Sequence, residues 1–402
     1  MTGPAERHAV ISGIGQSAVG RRLGRSGLDL TVEAALAAIA DAGLTRDDID
    51  GLVTYPGGGF GPAGFGGPGT PDVQDALRLR LSWHDGGMEG PAQLRAVIAA
   101  CTAVASGLAR HVLVYRTVTE GSAQGTGHRQ GIGGTPQAGG GMPRFSGWLQ
   151  WTLPYGAVSA VNWLAMVASR RMHEFGLTRQ ELGGLAVSTR RHAGRNPLAV
   201  YRDPMTLDDY LAARMISTPL CLFDCDAPCD GSTAVVVSHR GHAAGAPHPV
   251  VGVHAVGTAL RGRPSWDQFD DMTTMAARDA AAAMWERSDL GPADVDVAEL
   301  YDGFSILTLV WLEALGFCGR GESGPFVAGG ERLDLDGSLP LNTAGGQLSA
   351  GRLHGFGLLH EACVQLRHQG GARQVPGGPE VAVVANGGGP LAGCMVLTRG
   401  PA

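Results

Sequence analysis

Four side chains in the C-terminal part of this 402-residue chain could move protons and hold charge. Tyr301 and Asp302 lie in "AELYDGFS", and Arg352 and His354 in "NTAGGQLSAGRLHGFG". A tyrosine ionises near 10 in water, so as a base it needs a cation beside it. Arg352 is permanently charged and cannot take the proton itself. It could be that cation, or it could hold an anionic oxygen of a substrate. His354 is the imidazole of the glycine-rich loop and could serve as a base near neutral pH. Asp302 could orient either Tyr301 or Arg352. Asn342 could orient a water or a carbonyl, or shape the turn. Gly345 and Gly346 permit the tight, positive-φ backbone of a substrate-binding loop. His84, Asp85 and Glu89, in "HDGGMEG", are polar candidates on a second loop. Each has a plain structural reading too: a buried phenol with a bonded hydroxyl, a helix-opening histidine, an exposed polar loop.

The elements that must position these groups repeat along the chain. "HAVISGIGQSAVG" and "HPVVGVHAVGTAL" are each an apolar strand, a glycine turn and a small-residue run. An alanine-rich helix follows each, "TVEAALAAIADAGL" and "MTTMAARDAAAAMWERSDL", and then an acidic turn and a further strand. A buried helix, a turn and a β-branched strand close both repeats, from "GPAQLRAVIAACTAVASGLARHVLVYRT" and from "HGFGLLHEACVQLRHQGG" onward. The pattern predicts a duplicated α/β fold with helices covering the sheets, with halves 1–245 and 246–402. A segment at about 120–220 has no counterpart in the second half. It reads as an insertion: the glycine-rich "GSAQGTGHRQGIGGTPQAGGG", then helices opened by capping boxes at Thr178–Glu181 and from Thr206. The glycine stretch lacks the Gly-Lys-Ser/Thr ending of a phosphate loop. The aromatic "MPRFSGWLQWTLPYG" could line an apolar acyl pocket or form an interface.

Composition narrows the setting. The charge of −6 and the absence of a basic run give no reason to expect a nucleic-acid partner. No targeting segment is visible, and the longest apolar run, 96–109, is shorter than the roughly 20 residues of a membrane span. Seven scattered cysteines do not make a disulfide framework, so a cytoplasmic protein is expected. Cys221, Cys225 and Cys229 read as small buried thiols rather than a metal site.

Together "PLCLFDCDAPCDGSTAVVVS", "AELYDGFSILTLVWLEALGFCGRGE", "LPLNTAGGQLSAGRLHG" and "EACVQLR" resemble the thiolase superfamily. The closest likeness is to its sterol-carrier-protein-thiolase branch of lipid-transfer proteins. The resemblance spans nearly the whole chain and implies a duplicated five-layer αβαβα fold, usually dimeric. Thiolases use a nucleophilic cysteine, a loop histidine and a second cysteine. Those positions fall on Gly87, Arg352 and Ala385. Cys101 and Cys394 lie in core segments and do not replace them. The resemblance therefore points to the subgroup of steroid side-chain aldolases. That subgroup cleaves an aldol bond in an acyl-CoA beside a small OB-fold and zinc-ribbon partner, using two tyrosines. Tyr301 matches the first of these, and the second falls on Arg352.

A retro-aldol step needs a base for the β-hydroxyl proton and donors for the enolate, but no covalent nucleophile. The chain is thus expected to be a carbon–carbon lyase acting on a β-hydroxyacyl-CoA, with coenzyme A as part of the substrate and no other cofactor or metal. An acyltransferase with an atypical site and a non-catalytic acyl-CoA-binding scaffold are the alternatives.

Overall fold

The computed structural model describes residues 3–56, 64–87, 94–123, 152–157, 159–261 and 270–400. Its strands are β1 (Ala9–Gln16), β2 (Gly51–Thr54), β3 (Trp83–Gly86), β4 (His111–Thr119), β5 (Met215–Ser217), β6 (Leu220–Cys221), β7 (Asp230–His239), β8 (Val251–Leu260), β9 (Val297–Leu300), β10 (Val381–Gly387) and β11 (Leu391–Arg399). Among the described residues the long sheet runs β3-β2-β4-β7-β1-β8-β11-β10-β9, and β5 and β6 pair separately.

Two arms meet at a narrow seam, where only Val10–Gly252 and Ile11–Val251 join β1 to β8. Outward from it, β1-β7-β4-β2 and β8-β11-β10-β9 follow one rule: two antiparallel pairings, then a parallel one. β3 extends the first arm only, parallel to β2. Helices occupy matching places. Gly27–Asp41 links β1 to β2 and Ala277–Trp285 links β8 to β9, while Arg95–Ala105 leads into β4 and Phe356–Leu366 into β10. The duplicated α/β architecture expected from the sequence is therefore present.

Side-chain alternation along the strands sorts the core. Leu52, Leu113, Tyr115 and Val236 face the helices Gly27–Asp41 and Thr70–Leu77. Val53, Val112, Val114 and Val235 face the other way, into a core that runs on to the second arm.

Between β4 and β7 lie the helices Ala160–Phe175, Arg179–Ala193 and Leu207–Ala212. The two capping boxes form as written: the Thr178 and Thr206 hydroxyls accept from the backbone N–H of Glu181 and Asp209. The helix Arg179–Ala193 backs the glycine-rich loop. His192 Nδ1 lies 3.1 Å from the Leu341 carbonyl, and just beyond the helix Asn196 donates to the Ala344 carbonyl at 3.0 Å. Most of the glycine stretch and the aromatic segment, 124–151, and also Glu89 lie outside the described residues.

Candidate active site

Tyr301 leaves the end of β9 with its N–H donating to the Ala385 carbonyl at 2.9 Å. Its ring folds back over Gly303, where an added Cβ would stand 2.9 Å from the phenol oxygen. Asn342 fixes this strand end: its amide oxygen accepts from Leu300 N–H at 2.8 Å and its amide nitrogen donates to Leu300 O at 2.9 Å. Asp302 turns to the loop, accepting from the backbone of Gln347 at 2.8 Å and Leu348 at 3.3 Å. Burial pushes its carboxyl up to about 6 against those hydrogen bonds. Gly346, at φ +54°, has no room for a Cβ beside that carboxylate. Gly345, at φ +99°, sits against Ala193. In this structure Asn342, Asp302 and the two glycines shape the loop that carries Arg352.

Arg352 is held by its backbone N–H, which donates to Ala227 O at 2.8 Å. Its guanidinium meets Glu120 at 2.7 Å and Asp226 at 3.3 Å. Burial works against this charge, but the two carboxylates outweigh it and push the guanidinium above its ordinary value. Burial likewise opposes Glu120, and Arg352, His354 and Arg116 together more than reverse that, holding the carboxyl at about 2. His354 Nε2 lies 3.7 Å from Glu120, beyond hydrogen-bond range, with Phe65 edge-on at 4.6 Å. Burial pushes the imidazole down to about 4, so it is neutral at pH 7.

Tyr301 responds in the opposite sense to the one its expected role as base would want. Burial, and then Asp226, push the phenol up, and the pull of Arg352 does not offset them. It is protonated at neutral pH, so it can donate, or accept a proton only while passing its own on. No thiolate stands nearby. All seven cysteines are free. Burial raises Cys101 to about 12 and pushes Cys225, Cys229 and Cys394 up as well. Among the described residues no group of three or more His, Cys, Asp or Glu could hold a metal ion.

With this geometry in view, known proteins place the chain. A family model described as thiolase C-terminal domain-like matches residues 260–399. A steroid side-chain-cleaving aldolase of Thermomonospora curvata is 37% identical over 96% of this chain and 97% of its own length. A 17-hydroxy-3-oxo-4-pregnene-20-carboxyl-CoA lyase of Mycobacterium tuberculosis is 34% identical over 96% and 98%. The chain belongs to the thiolase-superfamily aldolases. A solved Ltp2-ChsH2(DUF35) aldolase, 34% identical, superposes with a TM-score of 0.82 over 97% of both chains.

The aldolase fold brings Tyr301, Arg352 and His354 into one electrostatic neighbourhood, with Asp302 and Asn342 behind the loop. His84 does not join them. It is exposed on β3 and pairs in register with Leu52, whose side chain faces the Thr70–Leu77 helix. Sequence reasoning missed Glu120, Asp226, Arg116 and Tyr55. Asp226 sits in "CLFDCDAPCDG", whose evident feature is its cysteines. Glu120 ends the strand run "VLVYRTVTE", where local pattern marks only the start of an insertion. Arg116 left the clearest trace, a charge inside an apolar strand, which needs a reason to be buried.

Proposed function

We propose that this lyase cleaves the bond between the α and β carbons of a β-hydroxyacyl-CoA on a steroid side chain, without an acyl-enzyme. What carries this is Tyr301 in the charged neighbourhood of Asp226 and Arg352, its phenol raised by burial and then by Asp226, in a site with no thiolate. Tyr301 takes the β-hydroxyl proton as it passes its own to Asp226. The oxygen's electrons form the ketone, and those of the breaking carbon–carbon bond become the acyl-CoA enolate. The step is proton transfer and charge stabilisation throughout, and it calls for no cofactor beyond the coenzyme A of the substrate. Arg352 holds Asp226 in place at 3.3 Å, a positioning role with Glu120 as its second anchor.

The two relatives' names support the substrate class. The Ltp2-ChsH2(DUF35) assembly supports a partner subunit, for which the family resemblance implies a small OB-fold and zinc-ribbon protein, and the edge strand β3 offers a surface for a homodimer. Incubation with 17-hydroxy-3-oxo-4-pregnene-20-carboxyl-CoA, with and without such a partner, should release propanoyl-CoA and the steroid 17-ketone. Tyr301→Phe should lower that rate on the order of 100-fold or more. A stable acyl adduct on the intact protein, with no ketone formed, would return the site to acyl transfer.

A further inference from the structure

The cleavage step leaves an enolate that must gain a proton at its α carbon, while Tyr301, which holds the β-hydroxyl proton once its own has gone to Asp226, serves the β oxygen on the other side of the broken bond. Arg352 is neutralised by Glu120 and Asp226, so a donor and its supporting cation must come from elsewhere.

The strand register supplies both. β2 pairs with β4 as Val53–Val114 and Thr54–Tyr115, so one residue further sets Tyr55 beside Arg116. On its other side β2 pairs with β3 as Thr54–Gly86, which sets Tyr55 beside Gly87, a residue with no side chain to cover the phenol. Tyr55 packs in the same core as Val53, Val112 and Val114, so phenol and guanidinium project from one sheet face. Both are buried, Tyr55 to 8% exposure and Arg116 to 1%.

Their polar atoms are not used up in holding the fold. Tyr115 donates to Pro68 O at 2.9 Å and Tyr210 to Asp224 at 2.8 Å, as buried structural phenols do. Among the described residues the Tyr55 hydroxyl makes no such bond. Arg116 spends one nitrogen on Thr117 O at 2.7 Å, while Nε and Nη2 have no partner among the described residues. Arg116 also lies over Phe65 at 5.0 Å, and Phe65 contacts His354, so the pair adjoins the Arg352–Glu120 network. Buried groups left in this state cost stability and collect where function holds them.

We propose that Tyr55 is a second catalytic phenol, the acid that returns a proton to the enolate carbon, with Arg116 behind it as the cation that holds its phenolate. The assignment rests on the cleavage reading above. Protons balance: Asp226 gains one through Tyr301, Tyr55 gives one to the α carbon, and solvent passes the first back to Tyr55. Burial raises the Tyr55 phenol, and Arg116 and then Arg95 offset only part of that rise.

The test separates the two phenols. In D2O, with propanoyl-CoA alone and in whichever assembly cleaves substrate, the wild type should exchange the α protons, read by mass spectrometry. Tyr55→Phe should lose this exchange by about 100-fold or more. Tyr301→Phe, which handles the hydroxyl proton, should keep it while losing cleavage. Exchange preserved in Tyr55→Phe, or lost in Tyr301→Phe alone, overturns the assignment. Should Tyr55→Phe not fold, 3-fluorotyrosine at position 55 must move the pH profile of exchange to lower pH, and an unmoved profile overturns the assignment equally. A wild type that exchanges but cleaves no β-hydroxyacyl-CoA defeats the cleavage reading instead.

Discussion

The phenol of Tyr301 works only where its ring lies, and Gly303 sets that place. A Cβ at Gly303 would stand 2.6 Å from Cε1 of the ring, so Gly303→Ala must swing the phenol away. Displacement of about 1 Å costs on the order of 100-fold in a positioned reaction. We expect that loss in kcat from Gly303→Ala, with the melting temperature shifted far less than the activity. Steady-state kinetics beside a thermal scan would check both. Arg352 behaves differently, because removing it takes from two buried carboxylates the cation they share. Arg352→Ala should cost about 3–5 kcal/mol in stability by urea unfolding. Glu120→Ala in the same chain should recover part of it, and strictly additive losses would show that the pair is not coupled.

At the scale of elements, the glycine-rich loop is tied down by two buried carboxyl groups with different partners. Thr343 Oγ1 lies 2.8 Å from Glu299 and 3.0 Å from Glu361, yet it has one proton to give. Glu361 is neutralised by Arg373 at 2.9 Å. Glu299 has no such partner, and burial with Glu361 beside it holds its carboxyl well above the usual range. Glu299 is therefore the protonated member, and Gln imitates that form. A raised folded pKa gives stability that is full below the unfolded value of 4.5 and lost as pH rises through the folded one. Glu299→Gln should fold normally and decline less in stability as pH rises, whereas Glu361→Gln, which strips Arg373 of its partner, should be destabilised at neutral pH. Unfolding midpoints across a pH series would separate them.

Over the whole molecule the same linkage sets the acid limb. His354 falls from 6.5 to about 4 on folding, so the unfolded chain takes up its proton first and stability drops as pH falls through that window. Asp302, raised from 3.8 to about 6, leans the other way: its contribution is full below 3.8 and lost as pH rises through 6. The difference between wild type and His354→Gln isolates the histidine. The variant should lose less stability between pH 6.5 and 4, by about 1–3 kcal/mol. Cooperativity is also a property of the whole. One core spans both arms, and Arg367 of the second arm pairs with Asp41 and donates to Ser12 O at 3.0 Å in the first. Residues 1–245 alone should therefore show no cooperative unfolding transition.

Local pattern was enough for much of this. Hydrophobic period and turn residues gave the two matching βαβ runs, the capping boxes at Thr178 and Thr206, and the loop of Asn342 to Gly355, because these depend on neighbours a few residues apart. Tyr301, Arg352 and His354 were legible through motifs for the same reason. Their chemical states were not. The guanidinium of Arg352 is committed to Glu120 and Asp226, more than a hundred positions away in sequence, and the Tyr301 phenol is raised by burial that no window of sequence reports. Tyr55 and Arg116 meet only because β2 and β4 pair in one register, and shifting that register by a single residue would turn their side chains to opposite faces. Charge and protonation follow from desolvation and from distant partners, so they belonged to the tertiary structure alone.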